Sequence, residues 1–174
     1  YSWLVVPKEA AETWSQLLMF FRSRQINLIQ QDVHNANLQT DWITVGDGEN
    51  NGAVRYRIHL ESALQPNFTE VHLVNVQGRP HQAVSITRPW PQISANPIHA
   101  NDMFKALAKA LSNQDASGDS LVASTISFPP KVTLTRVDGE PVLDLRSHYE
   151  RTKHAIANSM EENDLVIFEA NEVE

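Results

Sequence analysis

The chain has 174 residues, a formal net charge of −7, 41% hydrophobic residues and no cysteine. That is enough for one ordinary core or two small ones. The missing cysteine excludes disulfides, Cys-ligated zinc and thiol nucleophiles, and Lys and Arg are too scattered for the concentrated basic face that nucleic acid requires.

No apolar run approaches the roughly 20 residues that span a bilayer. The longest, Leu17 to Phe21, lies inside an amphipathic pattern. No signal-peptide pattern is present, so any targeting segment is expected to have been removed or to lie outside this sequence.

Trp3 to Val6 is a short apolar run with strand character. Pro7 suits a helix's first turn, and Glu9 and Glu12 suit its positive end. Trp14, Leu17, Leu18 and Phe21 recur at helical spacing. A helix is predicted from Lys8 to Arg24. Ile26 to Val33 is a predicted strand, and His34-Asn35-Ala36-Asn37 a turn. Leu38 to Val45 is the next strand, with Leu38, Thr40 and Trp42 sharing one face and Asp41 outside.

After the loop Gly46 to Gly52, Ala53 to Glu61 alternates cleanly. Val54, Tyr56, Ile58 and Leu60 point inward, and Arg55, Arg57, His59 and Glu61 outward, as in a sheet with one solvated face. Thr69 to Gln77 repeats this with Val71, Leu73 and Val76, and Ala83 to Thr87 is a further short strand. Pro89, Pro91 and Pro97 interrupt regular structure. Pro97 to Leu111 is a helix with Met103, Phe104, Leu107, Ala110 and Leu111 on one side.

Residues 1–112 thus read β-α-β-β-β-β-β-α, an α+β domain. Its short connections imply an antiparallel sheet, with both amphipathic helices packed on one face. Residues 113–130 are polar, Ser-rich and end in Pro129-Pro130, as a linker does. Residues 131–174 begin a second module. It has strands Lys131 to Val137 and Val142 to Leu145 around an Asp138-Gly139 turn. A helix from Arg146 to Glu162 and a strand from Asp164 to Ala170 follow.

Shifted by 139 positions without a gap, Leu4, Val6, Leu17, Phe21, Ile26 and Leu28 fall on Leu143, Leu145, Ile156, Met160, Leu165 and Ile167. This reads as a repeated module whose second copy is incomplete. The apolar stripe of Tyr149, Ile156 and Met160 is then expected to need the first domain or another copy of the chain for cover.

Candidate sites are sparse. The loop from Asp47 to Gly52 mimics the start of a calcium loop, but the twelfth position, where a bidentate carboxylate belongs, is Ile58. A solvated hairpin loop is the simpler reading. His148 and His154 are six apart, on different sides of a helix, and no His-Glu-x-x-His occurs. His59 and His72 are able to neighbour each other across strands, and such a lone pair reads as structural.

No Gly-x-Ser-x-Gly elbow, dinucleotide fingerprint or Walker loop is present. Asp41 and Glu61 form a candidate acid–base pair, weighed against charged residues on an outer face that lack a cleft. Asn67-Phe68-Thr69 matches a glycosylation sequon, which matters only in a eukaryotic secretory context. Trp14 and Trp42 read as core, with a ligand-lining role as the other option, and Trp90 as an exposed aromatic. No catalytic, cofactor-binding or metal-ligating set is expected, and no cofactor.

The run from Val6 through Trp14, Leu17, Leu18, Ile26 and Val33 to "LQTDWI" resembles the first helix-grip domain of the BamC (NlpB) family. "GEPVLDLRSHYERTKHAI" resembles the opening of that family's second helix-grip domain. The resemblance covers nearly the whole chain, through packing and turn signatures. Lys153 stands where the second domain tends to carry a tryptophan equivalent to Trp14.

The resemblance implies a non-enzymatic accessory subunit of the β-barrel outer-membrane protein assembly machinery. It implies protein contacts with BamD- and BamA-type subunits and no nucleic-acid partner. Localisation would be at the bacterial outer membrane, periplasmic or surface-exposed, through a lipid anchor. The family's lipidated cysteine and unstructured N-terminal segment, its contact with BamD, are not in this sequence. The other reading is a periplasmic helix-grip carrier holding an apolar small ligand between helix and sheet.

Overall fold

The computed structural model describes residues 3–46, 52–83, 89–112, 126, 128, 131–146, 152, 153, 156 and 160. The chain divides into two compact units, Tyr1–Pro129 and Pro130–Glu174. The predicted strand Ala83 to Thr87 falls almost wholly outside the described residues, as do the strand Asp164 to Ala170 and most of the linker and last helix.

The first unit is α+β, with an open antiparallel sheet and two helices. Its elements are β1 (Trp3–Val6), α1 (Ala10–Ser23), β2 (Leu28–Asp32), β3 (Asn37–Thr40), β4 (Ile43–Val45), β5 (Gly52–Ser62), β6 (Thr69–Gly78) and α2 (Pro97–Leu111). The sheet runs β1-β6-β5-β3-β2, and β4 pairs with β5 beside β3. The long β5–β6 ladder, from Ala53↔Gly78 to Ser62↔Thr69, is its spine.

Both helices form where the periodicity places them. Asn96 caps α2, its side chain accepting from the His99 amide at 3.1 Å, and Pro97 takes the first turn, where a missing N–H costs nothing. α1 starts two residues later than predicted, after Glu9, and ends at Ser23, where Arg24 and Gln25 turn the chain. Their apolar faces meet the inner face of the sheet in one core. Trp14, Leu17 and Phe21 from α1 and Leu107 and Leu111 from α2 lie with Leu38, Val54, Ile58, Leu60 and Val71. Each of these is at most 2% exposed. Ile126 and Phe128, within the predicted linker, also pack partly buried against this core.

Three expectations need correction. The strand predicted from Leu38 to Val45 is two strands, broken at Asp41-Trp42. Side chains stitch the break. Thr40 Oγ1 accepts from the Tyr56 amide at 3.0 Å, and Asp41 Oδ1 from the Trp42 amide at 2.7 Å. The break resets the two-residue alternation, so Trp42 leaves the face of Leu38 and lies beside Arg55 on the outer face, half-buried. Second, Asn75 and not Val76 is the inward residue after Leu73, opposite Tyr56. It is fully buried, and its amide is satisfied at both ends by the Asn96 backbone, at 2.8 and 2.9 Å.

Third, the outer face is not simply solvated. Arg55, Gln39 and Glu70 on it are 4%, 4% and 3% exposed. Trp90 is likewise half-buried and not free.

In the second unit, β7 (Val132–Val137) and β8 (Glu140–Leu145) form the predicted hairpin. Asp138 and Gly139 both take positive φ, 53° and 91°, as a two-residue turn matching strand twist requires. Leu134 faces Leu143 across the ladder, and both are exposed. Thr152, Lys153, Ile156 and Met160 are helical, in keeping with the predicted last helix.

Candidate functional site

Two-residue alternation carries one set of side chains on β1, β3, β5 and β6 to the outer face of the sheet. At its centre, Arg55 is held by its neighbours on β3. Its Nε donates to the Thr40 carbonyl at 3.2 Å and its Nη2 to Gln39 Oε1 at 3.1 Å. The guanidinium carbon lies 5.4 Å from the Trp42 ring centroid and 5.5 Å from that of Trp90. Burial pushes the pKa of Arg55 below its ordinary value, while the charge of Asp41 draws it back up. Aromatic faces and carbonyl oxygens compensate a cation kept out of water. Trp42 is pinned in turn, its indole N–H donating to the Gln82 carbonyl at 2.8 Å.

Toward the other end of the same face, imidazoles and carboxylates gather. The β5–β6 register sets His59 opposite His72 and Glu61 opposite Glu70. Trp3 of β1 pairs with His72 and stacks on its ring at 6.4 Å. His72 Nε2 lies 3.2 Å from Glu70 Oε2 and 3.9 Å from Glu61 Oε2, and His59 Nε2 lies 3.4 Å from Glu61 Oε1. The two imidazole rings are 6.3 Å apart. Asn37 on β3 backs His59, its Oδ1 lying 3.1 Å from His59 Nδ1 while also accepting twice from Arg57 at 3.2 Å.

The cross-strand neighbours anticipated for His59 and His72 are therefore real, but they are not a lone pair. Glu70, 3% exposed, is the member absent from the sequence expectation. Its signal is His59-x-Glu61 on one strand and Glu70-x-His72 on the next. In antiparallel register those two triplets put all four groups on one face.

Asp41 and Glu61 do not meet. Asp41 acts at Arg55, six residues along β5 from Glu61, or roughly 20 Å at 3.3 Å per residue. An acid–base pair between them is excluded by that separation. Residues 47–51 of the calcium-like loop, and His148 and His154, lie outside the described residues. Gly52 begins β5 and Ile58 is core. In the sequon, Asn67 is exposed, while Thr69 is buried with its hydroxyl donating to the Lys8 carbonyl at 2.8 Å.

Trp14, 1% exposed, is core as expected. On the helix side Tyr56 is buried and donates to the His99 carbonyl at 3.1 Å. Burial, and next the charge of Asp102, raise its pKa to about 12. A groove of about 670 Å³ runs beside α2, open to solvent, with Leu73, Ile93, Pro97, Ile98 and Phe104 among its walls. A second, of about 400 Å³, lies at the end of α1 by Leu18, Ile26 and Leu28. Compared with protein-family models and with curated proteins, the chain matches none.

Proposed function

We propose that the protein is a non-enzymatic accessory subunit of the β-barrel outer-membrane protein assembly machinery, of the BamC type, with helix-grip domains. The observation that carries this reading is the filled interface between helices and sheet. Trp14, Leu17, Phe21, Ile58, Leu60 and Leu107 meet there at 0–1% exposure. A carrier would keep an open apolar cavity of a few hundred cubic ångströms at that interface. The tryptophan, leucine and phenylalanine side chains occupy the space between α1 and the sheet instead, and the groove between α2 and Leu73 of the sheet is open to solvent. The interface therefore works as a scaffold, and its outward surfaces are left for protein contacts.

The element order supports the helix-grip assignment, since one helix follows the first strand and a second closes the domain. The resemblance in "LQTDWI" and "GEPVLDLRSHYERTKHAI" supplies the partners, BamD- and BamA-type subunits, and the place, the periplasmic side or surface of the outer membrane.

The test is affinity purification of the full chain from detergent-solubilised membranes of its own cells. Retention of BamA- and BamD-type subunits after washing in physiological salt is the expected result. Recovery of the chain free of both would overturn the assignment. Saturable binding of an apolar fluorophore at one site per chain, abolished by Leu107→Trp, would favour the carrier instead.

A further inference from the structure

We propose that Glu61, Glu70 and His72 form a divalent transition-metal site on the outer face of the sheet, with His59 as a fourth donor. The proposal does not depend on the assembly role.

The distances suit it. Zinc bonds to imidazole nitrogen and carboxylate oxygen of about 2.0–2.2 Å place tetrahedral donors roughly 3.3 Å apart. His72 Nε2 lies 3.2 Å from Glu70 Oε2 and 3.9 Å from Glu61 Oε2. One ligand atom from each of the three residues falls within 4.8 Å of the others. The donors stand on adjacent, fully hydrogen-bonded strands, so little of the backbone has to be ordered on binding.

His59 provides an independent argument. Arg57 has only donors, and it donates twice to Asn37 Oδ1, which fixes that atom as the amide oxygen. His59 Nδ1, 3.1 Å from the same oxygen, must therefore carry the hydrogen. In the neutral ring the lone pair of Nε2 then faces Glu61 Oε1 across 3.4 Å. That lone pair is placed to donate to a metal ion held by the Glu61 carboxylate.

The surroundings match those of metal ligands. Asn37 orients His59 through its second nitrogen, as outer partners of ligating histidines do. Trp3 stacks on His72, with planes 26° apart, and fixes that ring. The Glu61 side chain is 41% exposed and provides a way in, whereas that of Glu70 is 4% exposed. Two carboxylates and imidazole, without thiolate, select an ion of the zinc, cobalt or nickel kind over copper(I). Bound there, it would clamp β5 to β6.

The test uses the full chain, free of affinity tag and stripped with chelator, titrated with Zn²⁺ alone by calorimetry near neutral pH. The expected result is one tight equivalent per chain and a higher Tm with added Zn²⁺. Affinity should fall at least about tenfold in Glu61→Gln and in His72→Gln. His34→Gln and His81→Gln, exposed and distant in sequence, should leave it unchanged. Glu61→Gln keeps the test sound if His72→Gln misfolds, because Glu61 is half-exposed and its amide analogue is isosteric. No Zn²⁺ uptake by the wild type would overturn the site, as would equal uptake by both ligand variants. So would a His59 imidazole whose NMR signal does not move on adding Zn²⁺.

Discussion

Strand β5 has two faces, and around Arg55 it is buried on both. Inward, Val54, Tyr56, Ile58 and Leu60 are at most 4% exposed and meet α1, α2 and the facing residues of β6. Outward, Arg55 is equally buried, but through directional bonds to Thr40 and Gln39 and between two indole rings. Apolar burial asks only for volume, so the inner face is written in the sequence as plain alternation. Polar burial requires a particular partner for each donor and acceptor. The outer face therefore depends on register and on loop paths that alternation does not encode.

Emptying the inner face should have the largest effect. Trp14→Ala removes the largest fully buried side chain and should cost about 3–5 kcal/mol. The urea midpoint should drop at constant slope. An unchanged midpoint would mean that Trp14 does not hold α1 to the sheet.

The outer face should respond nearly as strongly, though for a different reason. Arg55→Met keeps the aliphatic stem but deletes the guanidinium. It leaves Gln39 Oε1 and the Thr40 carbonyl without this donor in a dry setting. The expected loss is about 1.5–3 kcal/mol, as for hydrogen bonds to charged groups. A loss below about 0.5 kcal/mol, the range of ordinary surface changes, would show that the outer face is solvated after all.

A smaller effect tests the relocation of Trp42. A Cβ built at Gly78 would collide with the Trp42 indole and the Gln82 side chain. Gly78→Ala should therefore cost about 1–3 kcal/mol, the range for overpacking, and displace the indole from the Gln82 carbonyl. Near-UV circular dichroism should change with it. If Trp42 instead sat in the inner core beside Leu38, the substitution would be close to neutral.

What was legible in the sequence follows from this contrast. The helix from Pro97 to Leu111, the hairpin at Asp138-Gly139 and the burial of Trp14 all rest on local, repeated signals, and each stands where periodicity or turn chemistry puts it. The break at Asp41-Trp42 was invisible because it is made by two side-chain bonds, from Thr40 and Asp41, that mimic a ladder. One uncounted residue then carried Trp42 to the wrong face. Apolar character favours Val76 over Asn75, because a fully buried amide makes sense only with the Asn96 backbone there to meet it. The His–Glu cluster lay between the two cases. Strand order alone pairs its histidines, but Glu70 joins them only through the Glu61↔Glu70 register.

The finest test returns to the inner face, at a polar group set into its apolar wall. Tyr56 donates to the His99 carbonyl, and its pKa stands at about 12 because burial opposes the phenolate. In the unfolded chain a tyrosine titrates near pH 10. Between about pH 10 and 12 the folded state holds more protons than the unfolded one, so stability must fall as pH rises through that window. Below it the contribution is fully present. Tyr56→Phe should cost about 0.5–1.5 kcal/mol at neutral pH, the worth of one neutral hydrogen bond. It should also flatten the decline in Tm above pH 10 relative to wild type, since lysines and the other tyrosines titrate alike in both. Parallel Tm profiles for the two proteins across that range would show that the hydroxyl reaches water, and would reopen the inner face as a place where a polar ligand group enters.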